Sequence, residues 1–304
     1  MVGVEFADNI ERITMAIDKI VVIGAGTMGQ GISRTIAETG TEVYLCDLDD
    51  EILKHSLSFL SESLDREIEK WGITASEKKA ILARIKTTKD CAQSVKKAKM
   101  VIEAIPENRE GKRALFAKLD QMCPPETIFV SNTSTLSISD LASATGRPDK
   151  VIGMHFLNPV HKIPLVEIVR GLNTSDETFK AIRDFAIRLN KTPVPVNEYP
   201  GYVTTRIIVP FLNEAMHVLM ERTSSADDID TAMKLGFGFN MGPLALADLM
   251  GLDEVMSWME NLFDELGELK YNPCPLLRKM VRAGQLGVKT GQGFFKYDAE
   301  GNRT

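Results

Sequence analysis

Three glycines near the beginning of the chain have a spacing that suits the binding of phosphate groups. Gly24, Gly26 and Gly29 form a G-x-G-x-x-G pattern that follows the β-branched segment 20–23 and precedes a helical pattern. Glycines at such a turn let the backbone approach a pyrophosphate closely, and the N–H groups of the first helical turn can bind its oxygens. This context predicts a dinucleotide-binding turn, although the spacing alone also fits an ordinary glycine-rich turn.

An acidic residue indicates which dinucleotide is expected. Asp47 follows the glycines by about 20 residues, at the end of the next predicted strand. A carboxylate at this position accepts hydrogen bonds from ribose hydroxyls and repels a 2′-phosphate, which favours NAD over NADP. Thr27 and Met28 complete the predicted turn around the phosphates. An FAD site uses the same pattern, but the sequence contains no second flavin motif.

A histidine and a glutamate lie in or next to segments that are otherwise apolar. His155 directly follows the predicted strand 151–154, and Glu167 lies inside the apolar segment 165–169. A buried carboxylate needs a polar partner, which a histidine can supply. In return, the carboxylate fixes the tautomer of the imidazole and raises its basicity. The two residues therefore predict general acid–base chemistry, and the alternative is a histidine with a structural role.

A polar loop follows the predicted strand 127–130. Residues 131–135, with the sequence S-N-T-S-T, carry four hydroxyls and one amide. Such side chains suit hydrogen bonding to a ligand at the carboxyl end of a sheet, where ligand sites of α/β proteins lie. The alternative is a loop that caps a helix, because Ser137 also begins a capping pattern. Asn132 and Ser134 are expected to lie nearest to a site under either interpretation.

Alternating strand and helix patterns surround these residues and must position them. The predicted strands are 20–23, 42–46, 99–104, 127–130, 151–154, 165–169 and 192–196. The predicted helices between them are 27–38, 50–71, 76–84, 110–122 and 178–189. Such alternation indicates an α/β Rossmann-type doubly wound sheet.

The pattern changes after residue 200, where only helices are predicted. They cover about 202–222, 226–235, 243–265 and 275–283. We therefore expect an N-terminal extension at 1–16, a Rossmann-like dinucleotide-binding domain at 17–199 and an all-α C-terminal domain at 200–304.

Composition excludes several classes of protein. The chain has 304 residues, of which 44% are apolar and 26% charged, so it can bury a core and is not intrinsically disordered. Its net charge of −6 argues against non-specific nucleic-acid binding, and no apolar run suits a membrane span. Four cysteines without a C-x-x-C pair, and four dispersed histidines, give no zinc pattern. We therefore expect no metal site. Because the N-terminus has no signal-peptide pattern, we also expect a reducing, cytoplasmic location.

The motifs together resemble those of the L-3-hydroxyacyl-CoA dehydrogenases, most closely the short-chain bacterial 3-hydroxybutyryl-CoA type. The resemblance covers nearly all of residues 17–298. The matching segments are 24–31, 103–108, 131–134, 153–160, 165–169, 200–202, 241–244, 273–278 and 289–295.

The resemblance implies a role for each residue of the predicted site. His155 would take the proton of the 3-hydroxyl and return it in the reverse reaction, and Glu167 would orient and support it. Ser134 would bind the substrate oxygen at C3, close to the nicotinamide. Asn158 would bind the nicotinamide side or the thioester carbonyl.

Further residues are implied to bind the two large ligands. Glu107 and Lys112 match positions that contact the ribose of NAD and its surroundings. Ser63 and Lys70 match positions that bind the CoA part of the substrate, although without the family they would be interpreted as a solvated helix face. The family also implies an acyl-CoA substrate and a homodimer formed by the C-terminal domain.

Two departures from the family concern the substrate. Thr205 stands where the family has an asparagine near the substrate, and a hydroxyl reaches less far and offers fewer donors than an amide. His161 and Lys162 replace apolar residues, so they could bind an additional polar group or lie in an exposed loop. The alternatives that remain are a dehydrogenase of a hydroxy acid without CoA and a non-catalytic, crystallin-like NAD-binding protein.

Charge is unevenly distributed in the C-terminal domain. Residues 227–268 contain ten acids and one base, whereas residues 271–297 contain five bases and no acid. One hypothesis is that the two segments meet across a two-fold interface. The other is that the basic segment surrounds the entrance for CoA or the nucleotide.

Overall fold

The computed structural model describes residue 17 and residues 19–304, so the predicted extension at 1–16 lies outside the described residues. The chain divides into two compact units. The first ends at Glu198, and the second comprises Tyr199–Thr304.

An eight-stranded sheet forms the centre of the first unit. Its strands are β1 Ile20–Ile23, β2 Val43–Cys46, β3 Ile85–Thr88, β4 Met100–Glu103, β5 Ile128–Ser131, β6 Val151–Phe156, β7 Leu165–Arg170 and β8 Thr192–Asn197. They are arranged in the order β3-β2-β1-β4-β5-β6-β7-β8. All neighbours are parallel except β6 and β7, which are antiparallel. The predicted Rossmann-type fold is confirmed, with one reversed strand.

Helices pack on this sheet because one side of each is apolar. They are α1 Thr27–Glu38, α2 Asp50–Glu69, α3 Ala75–Arg84, α4 Cys91–Val95, α5 Arg109–Met122, α6 Ile138–Ala142 and α7 Asp176–Arg188. Every residue of β1 is buried, as expected for a central parallel strand with helices on both faces. The sequence did not predict the short elements β3 and α4, and it indicated α6 only through the capping pattern at Ser137.

The second unit is helical, as predicted. Its helices are α8 Thr204–Met220, α9 Ala226–Phe237, α10 Pro243–Met250, α11 Leu252–Leu266 and α12 Pro275–Arg282. The prediction of one continuous helix over 243–265 is wrong. Gly251 separates α10 from α11 with a φ of +97°, a conformation that glycine adopts without the strain that other residues meet.

The acidic and basic segments of this unit contact each other within the same chain. Arg278 forms an ion pair with Glu260 at 2.6 Å, and Lys289 forms one with Asp253, also at 2.6 Å. Part of the predicted charge separation is therefore neutralised inside the unit, an arrangement that neither hypothesis contained.

The described residues contain neither a candidate membrane span nor a candidate metal site. None of their helices is both long and apolar enough to cross a membrane. Nor do they contain a group of three His, Cys, Asp or Glu residues that could hold a metal ion.

Candidate active site

The turn after β1 explains why its first and last glycines are required. Gly24 has a φ of +101°, and a side chain there would come within 2.5 Å of the carbonyl oxygen of Ala104. A side chain at Gly29 would lie 1.7 Å from the carbonyl oxygen of Gly24. In contrast, a Cβ at Gly26 would meet nothing within 4 Å. Packing therefore requires two of the glycines, and the middle one leaves open space beside the backbone.

The first turn of α1 begins beside that space. Gly26 is its N-cap and provides no side-chain hydrogen bond, and the first turn contains no acidic residue. Thr27 is exposed, and Met28 packs partly against the core. A helix N-terminus without these side-chain partners attracts an anion through its N–H groups and its dipole. The open backbone and this helix end fit the pyrophosphate of a dinucleotide.

Asp47 connects the end of β2 to the same turn. Its Oδ2 accepts a hydrogen bond from the backbone N–H of Ala25 at 2.8 Å, and its Oδ1 accepts one from Asp49 at 3.3 Å. The side chain is half-buried. A carboxylate can accept about four hydrogen bonds, so two remain for ribose hydroxyls. The turn and Asp47 together fit NAD.

His155 and Glu167 form a buried pair. They lie directly opposite each other on the antiparallel strands β6 and β7. Nδ1 of His155 is 2.6 Å from Oε2 of Glu167. His155 is 3% exposed and Glu167 is 0% exposed, so the pair is shielded from water. The pairing of the strands thus supplies the partner that the carboxylate needs and fixes the orientation of the imidazole.

The polar loop 131–135 is bound to a carboxylate of the neighbouring strand-to-helix connection. Oε1 of Glu107 accepts hydrogen bonds from Thr133 Oγ1 at 2.5 Å, Ser134 N at 3.0 Å and Thr135 N at 3.1 Å. Its Oε2 lies 3.1 Å from Nζ of Lys112. Burial opposes the ionisation of Glu107, but Lys112 and these hydrogen bonds lower its pKa. The loop is therefore held by an ionised side chain.

The helix-capping alternative is correct for the residues that follow this loop. Ser137 caps α6 by accepting a hydrogen bond from Asp140 N at 3.0 Å, as the capping alternative expected. Asn132 points elsewhere and accepts a hydrogen bond from Phe156 N at 3.0 Å. Phe156 follows His155, so Asn132 connects the loop to the strand that carries the histidine. The hydroxyl of Ser134 makes no hydrogen bond with the residues that the structure describes.

Sequence reasoning gave no role to Glu103, the last residue of β4. Its side chain is buried, with Oε1 2.7 Å from Nζ of Lys112 and Oε2 accepting a hydrogen bond from Ser131 Oγ at 2.5 Å. Burial raises the pKa of Glu103, and Lys112 and Ser131 oppose that shift. The available signal was an acid at the end of an apolar segment, the same signal that identified Glu167.

These groups lie at one edge of the sheet. The register places Ile23 beside Glu103, Glu103 beside Ser131, and Ser131 beside Gly153. His155 lies two residues further along β6. The glycine turn, the polar loop and the histidine therefore lie at the carboxyl ends of four adjacent strands, where α/β proteins bind their ligands.

The remaining predicted residues lie on or after α2, just beyond the carboxyl end of β6, or in the second unit. Ser63 is half-buried on α2, where its Oγ accepts a hydrogen bond from Nη1 of the buried Arg34 at 3.1 Å. Lys70 follows α2 and is exposed, and Asn158 is exposed in the segment after β6. Thr205 is buried in the first turn of α8, in the second unit.

His161 is half-buried and not in an exposed loop, and it contacts a carboxylate of its own chain. Its side chain is 17% exposed, and Nε2 is 3.3 Å from Oε1 of Glu67. Burial lowers the pKa of His161 to about 4, with contributions from the positive charges of Arg34, Lys162 and Lys191, while Glu67 opposes the shift. The imidazole is therefore neutral at physiological pH.

This low pKa predicts acid sensitivity of the fold. In the unfolded chain His161 has an ordinary pKa near 6.5, so the unfolded state takes up the proton first as the pH falls. We expect the free energy of unfolding to fall by about 2 kcal/mol between pH 6.5 and 5, and further towards pH 4. Urea titrations of the wild type and His161→Gln should show this loss only in the wild type. The exposed His55 provides the control, since His55→Gln should behave as the wild type. Equal pH dependence in all three proteins would contradict the prediction.

Comparison with known proteins identifies relatives over both units. Residues 19–199 match the family described as 3-hydroxyacyl-CoA dehydrogenase, NAD binding domain, and residues 201–297 match the corresponding C-terminal domain. A probable 3-hydroxybutyryl-CoA dehydrogenase of Bacillus subtilis (strain 168) is 46% identical over 284 residues, covering 93% of this chain and 99% of that protein. The human mitochondrial hydroxyacyl-coenzyme A dehydrogenase is 41% identical over 287 residues, covering 91% of this chain and 90% of that protein.

A solved structure supports the same relationship. The (S)-3-hydroxybutyryl-CoA dehydrogenase PaaH1 from Ralstonia eutropha superposes with a TM-score of 0.85 at 42% identity. The match covers 93% of this chain and 99% of that one. Sequence and fold therefore agree over nearly the whole length of both proteins.

Proposed function

Because the chain belongs to the 3-hydroxyacyl-CoA dehydrogenase family and is an NAD-dependent oxidoreductase, we propose that it interconverts a short-chain (S)-3-hydroxyacyl-CoA and the 3-oxoacyl-CoA. The preferred substrate is 3-hydroxybutyryl-CoA, which the names of the Bacillus and Ralstonia relatives contain. The observation that carries the proposal is the buried His155–Glu167 contact of 2.6 Å at the edge of the sheet that holds the glycine turn.

His155 is the general base of the oxidation and the general acid of the reduction. Its Nδ1 is engaged by Glu167, so Nε2 is the nitrogen that takes the proton of the 3-hydroxyl and returns it. Bound NAD⁺ would serve as the acceptor of the hydride from C3 in the oxidation, and NADH as its donor in the reduction. An imidazole nitrogen can both accept and donate a proton, which allows one residue to serve both directions.

Two side chains support the histidine. Glu167 fixes the tautomer of His155 and stabilises the imidazolium that forms during oxidation, since its charge lies in a water-free environment. Ser134 donates a hydrogen bond to the substrate oxygen at C3, for which its hydroxyl has no competing partner among the described residues. Together they orient the reacting groups.

The cofactor and the CoA part are held by separate sets of residues. Gly24, Gly26, Thr27, Met28 and Gly29 bind the pyrophosphate, while Asp47 binds the adenosine ribose. Glu107 and Lys112 contact the nicotinamide ribose and its surroundings, and Asn158 binds the nicotinamide side or the thioester carbonyl. Ser63 and Lys70 bind CoA, and Thr205 holds the substrate in place of the family's asparagine.

The expected partners and location follow from the same relationship. An acyl-CoA is the substrate, and the protein forms a homodimer through its C-terminal domain. We also propose a cytoplasmic location, in keeping with cysteines that are all free in the structure.

A comparison of two substrates tests the proposal. The loss of NADH absorbance should be fast with acetoacetyl-CoA and at least about 100-fold slower with free acetoacetate, because binding energy from the CoA part is used to align C3. Equal or faster turnover of the free acid would instead support a dehydrogenase of hydroxy acids without CoA. Binding of NADH without turnover of either compound would support the non-catalytic alternative.

A further inference from the structure

Two carboxylates and one ammonium group are buried together behind the polar loop 131–135. Glu103 is 0% exposed, Lys112 is 1% exposed, and Glu107 lies beside them. The cluster holds two acids and one base. Buried ion pairs are poor sources of stability, since apolar side chains of similar volume are often as stable in their place. Within the fold, Oε1 of Glu103 accepts a hydrogen bond from the backbone N–H of Ile105 at 2.8 Å, and the other contacts of the cluster lead to the polar loop.

One connection from Glu103 reaches the loop through a serine. Oε2 of Glu103 accepts a hydrogen bond from Ser131 Oγ at 2.5 Å. The same Oγ accepts a hydrogen bond from the backbone N–H of Thr133 at 3.3 Å. The carboxylate thus sets the position of Ser131, and Ser131 bonds the backbone one residue before Ser134.

The other connection passes through the lysine. Nζ of Lys112 lies 2.7 Å from Glu103 Oε1 and 3.1 Å from Glu107 Oε2. Glu107 then accepts the backbone N–H of Ser134 at 3.0 Å. The two carboxylates raise the pKa of Lys112 against the effect of burial, so the ammonium group stays charged and its bonds are charge-assisted. Both connections that begin at Glu103 end at the segment carrying Ser134.

We propose that Glu103 is a positioning residue that holds Ser134 where the oxygen of the substrate binds. This inference rests on the proposed function, which assigns Ser134 to that oxygen. Ser134 can donate its hydrogen bond to the reacting oxygen only while its backbone is held in place. Glu103 does so from the interior, by fixing Ser131 on one side and the Lys112–Glu107 pair on the other.

Substitution of Glu103 by glutamine tests this role in the full-length protein. The amide has the same shape but no charge, so both connections weaken while the volume is conserved. We expect kcat for the reduction of acetoacetyl-CoA to fall about 10- to 100-fold, the loss produced by misplacing a catalytic group by about 1 Å. In the ligand-free protein, amide hydrogen exchange in segment 131–136 should become at least about tenfold faster.

A matched control separates positioning from general stability. Asp120 in α5 forms an ion pair with Arg147 at 2.6 Å, in the same unit but bound to a different loop. Asp120→Asn, like Glu103→Gln, replaces a charged carboxylate by a neutral amide of the same shape. It should lower the melting temperature while kcat and the exchange in segment 131–136 remain within about twofold of the wild type.

A double-mutant cycle gives the decisive result. If Glu103 acts through Ser134, Glu103→Gln should change kcat by less than about twofold when it is introduced into Ser134→Ala. Ser131→Ala breaks only the connection through the serine, so we expect it to lower kcat less than Glu103→Gln does. This smaller loss of kcat should also be absent in the Ser134→Ala background. Ser131→Ala replaces Glu103→Gln as the test if Glu103→Gln does not fold. Losses that multiply in the double variants, or full activity of the single ones, would overturn the inference. Wild-type turnover of acetoacetyl-CoA in the same assay tests the proposed function separately.

Discussion

Replacing His155 by glutamine is expected to lower kcat by about 10²- to 10⁴-fold, the contribution of a general acid–base group. Glutamine retains a polar side chain of similar size, but its amide takes up no proton near neutral pH. His155 is buried opposite Glu167, so water has little access to replace the lost base. The measurement is steady-state oxidation of NADH by acetoacetyl-CoA, with both substrates saturating.

An exposed histidine supplies the control for this substitution. His55 lies on α2 and is solvent-exposed, so His55→Gln should retain full activity. His155→Gln should still bind NADH with wild-type affinity, measured by fluorescence, because the glycine turn and Asp47 are unchanged. Activity of His155→Gln near that of the wild type would remove the residue from the mechanism.

Local patterns predicted the elements that carry the cofactor turn. The segment 20–23 is apolar throughout and is followed by three glycines whose spacing has a local physical cause. Gly24 and Gly29 are required by contacts within this turn and with the adjacent strand, so their spacing reports the structure directly. Asp47 was predictable for the same reason, because the end of the second strand lies beside the turn.

The pairing of His155 with Glu167 needed information that the local sequence does not contain. The alternation in 165–169 predicts a strand, but not that it runs antiparallel to the strand at 151–156. Only this reversal, with its register, places the two side chains opposite each other. In a parallel arrangement with the strand ends aligned, Glu167 would instead lie two positions away from His155 along the sheet. The carboxylate's need for a partner was predictable, whereas the geometry that meets it depends on the whole sheet.

The contacts of Glu103 were also not predictable from the local sequence. The predicted strand 99–104 contains this acid among apolar residues, but nothing in the local sequence identifies the partners that bind it. Its partners Lys112 and Ser131 come from a following helix and the neighbouring strand. The prediction of one long helix over 243–265 was wrong because the apolar pattern continues through Gly251, whereas the helical backbone is interrupted there.

Replacing Glu167 by glutamine is expected to lower kcat by about 10²- to 10³-fold. Glutamine can still accept a hydrogen bond from Nδ1 of His155, but the negative charge beside the imidazolium is lost. Removing one preorganised electrostatic partner of a charge that develops in the transition state costs about 10²- to 10³-fold in kcat. The contact of 2.6 Å and the complete burial of Glu167 place this pair in that class. The same assay with acetoacetyl-CoA and NADH measures the loss.

A second substitution distinguishes support of the histidine from stability of the sheet. If Glu167 acts only through His155, adding Glu167→Gln to His155→Gln should lower kcat by less than about twofold further. Glu126→Gln removes an exposed ion pair with Lys99, 2.9 Å long, and should leave kcat unchanged. A Glu167→Gln protein with full kcat and a lowered melting temperature would show that the carboxylate serves the fold alone. Because Glu167 faces His155 across the only antiparallel pair of strands in the described sheet, we expect rate and stability to fall together.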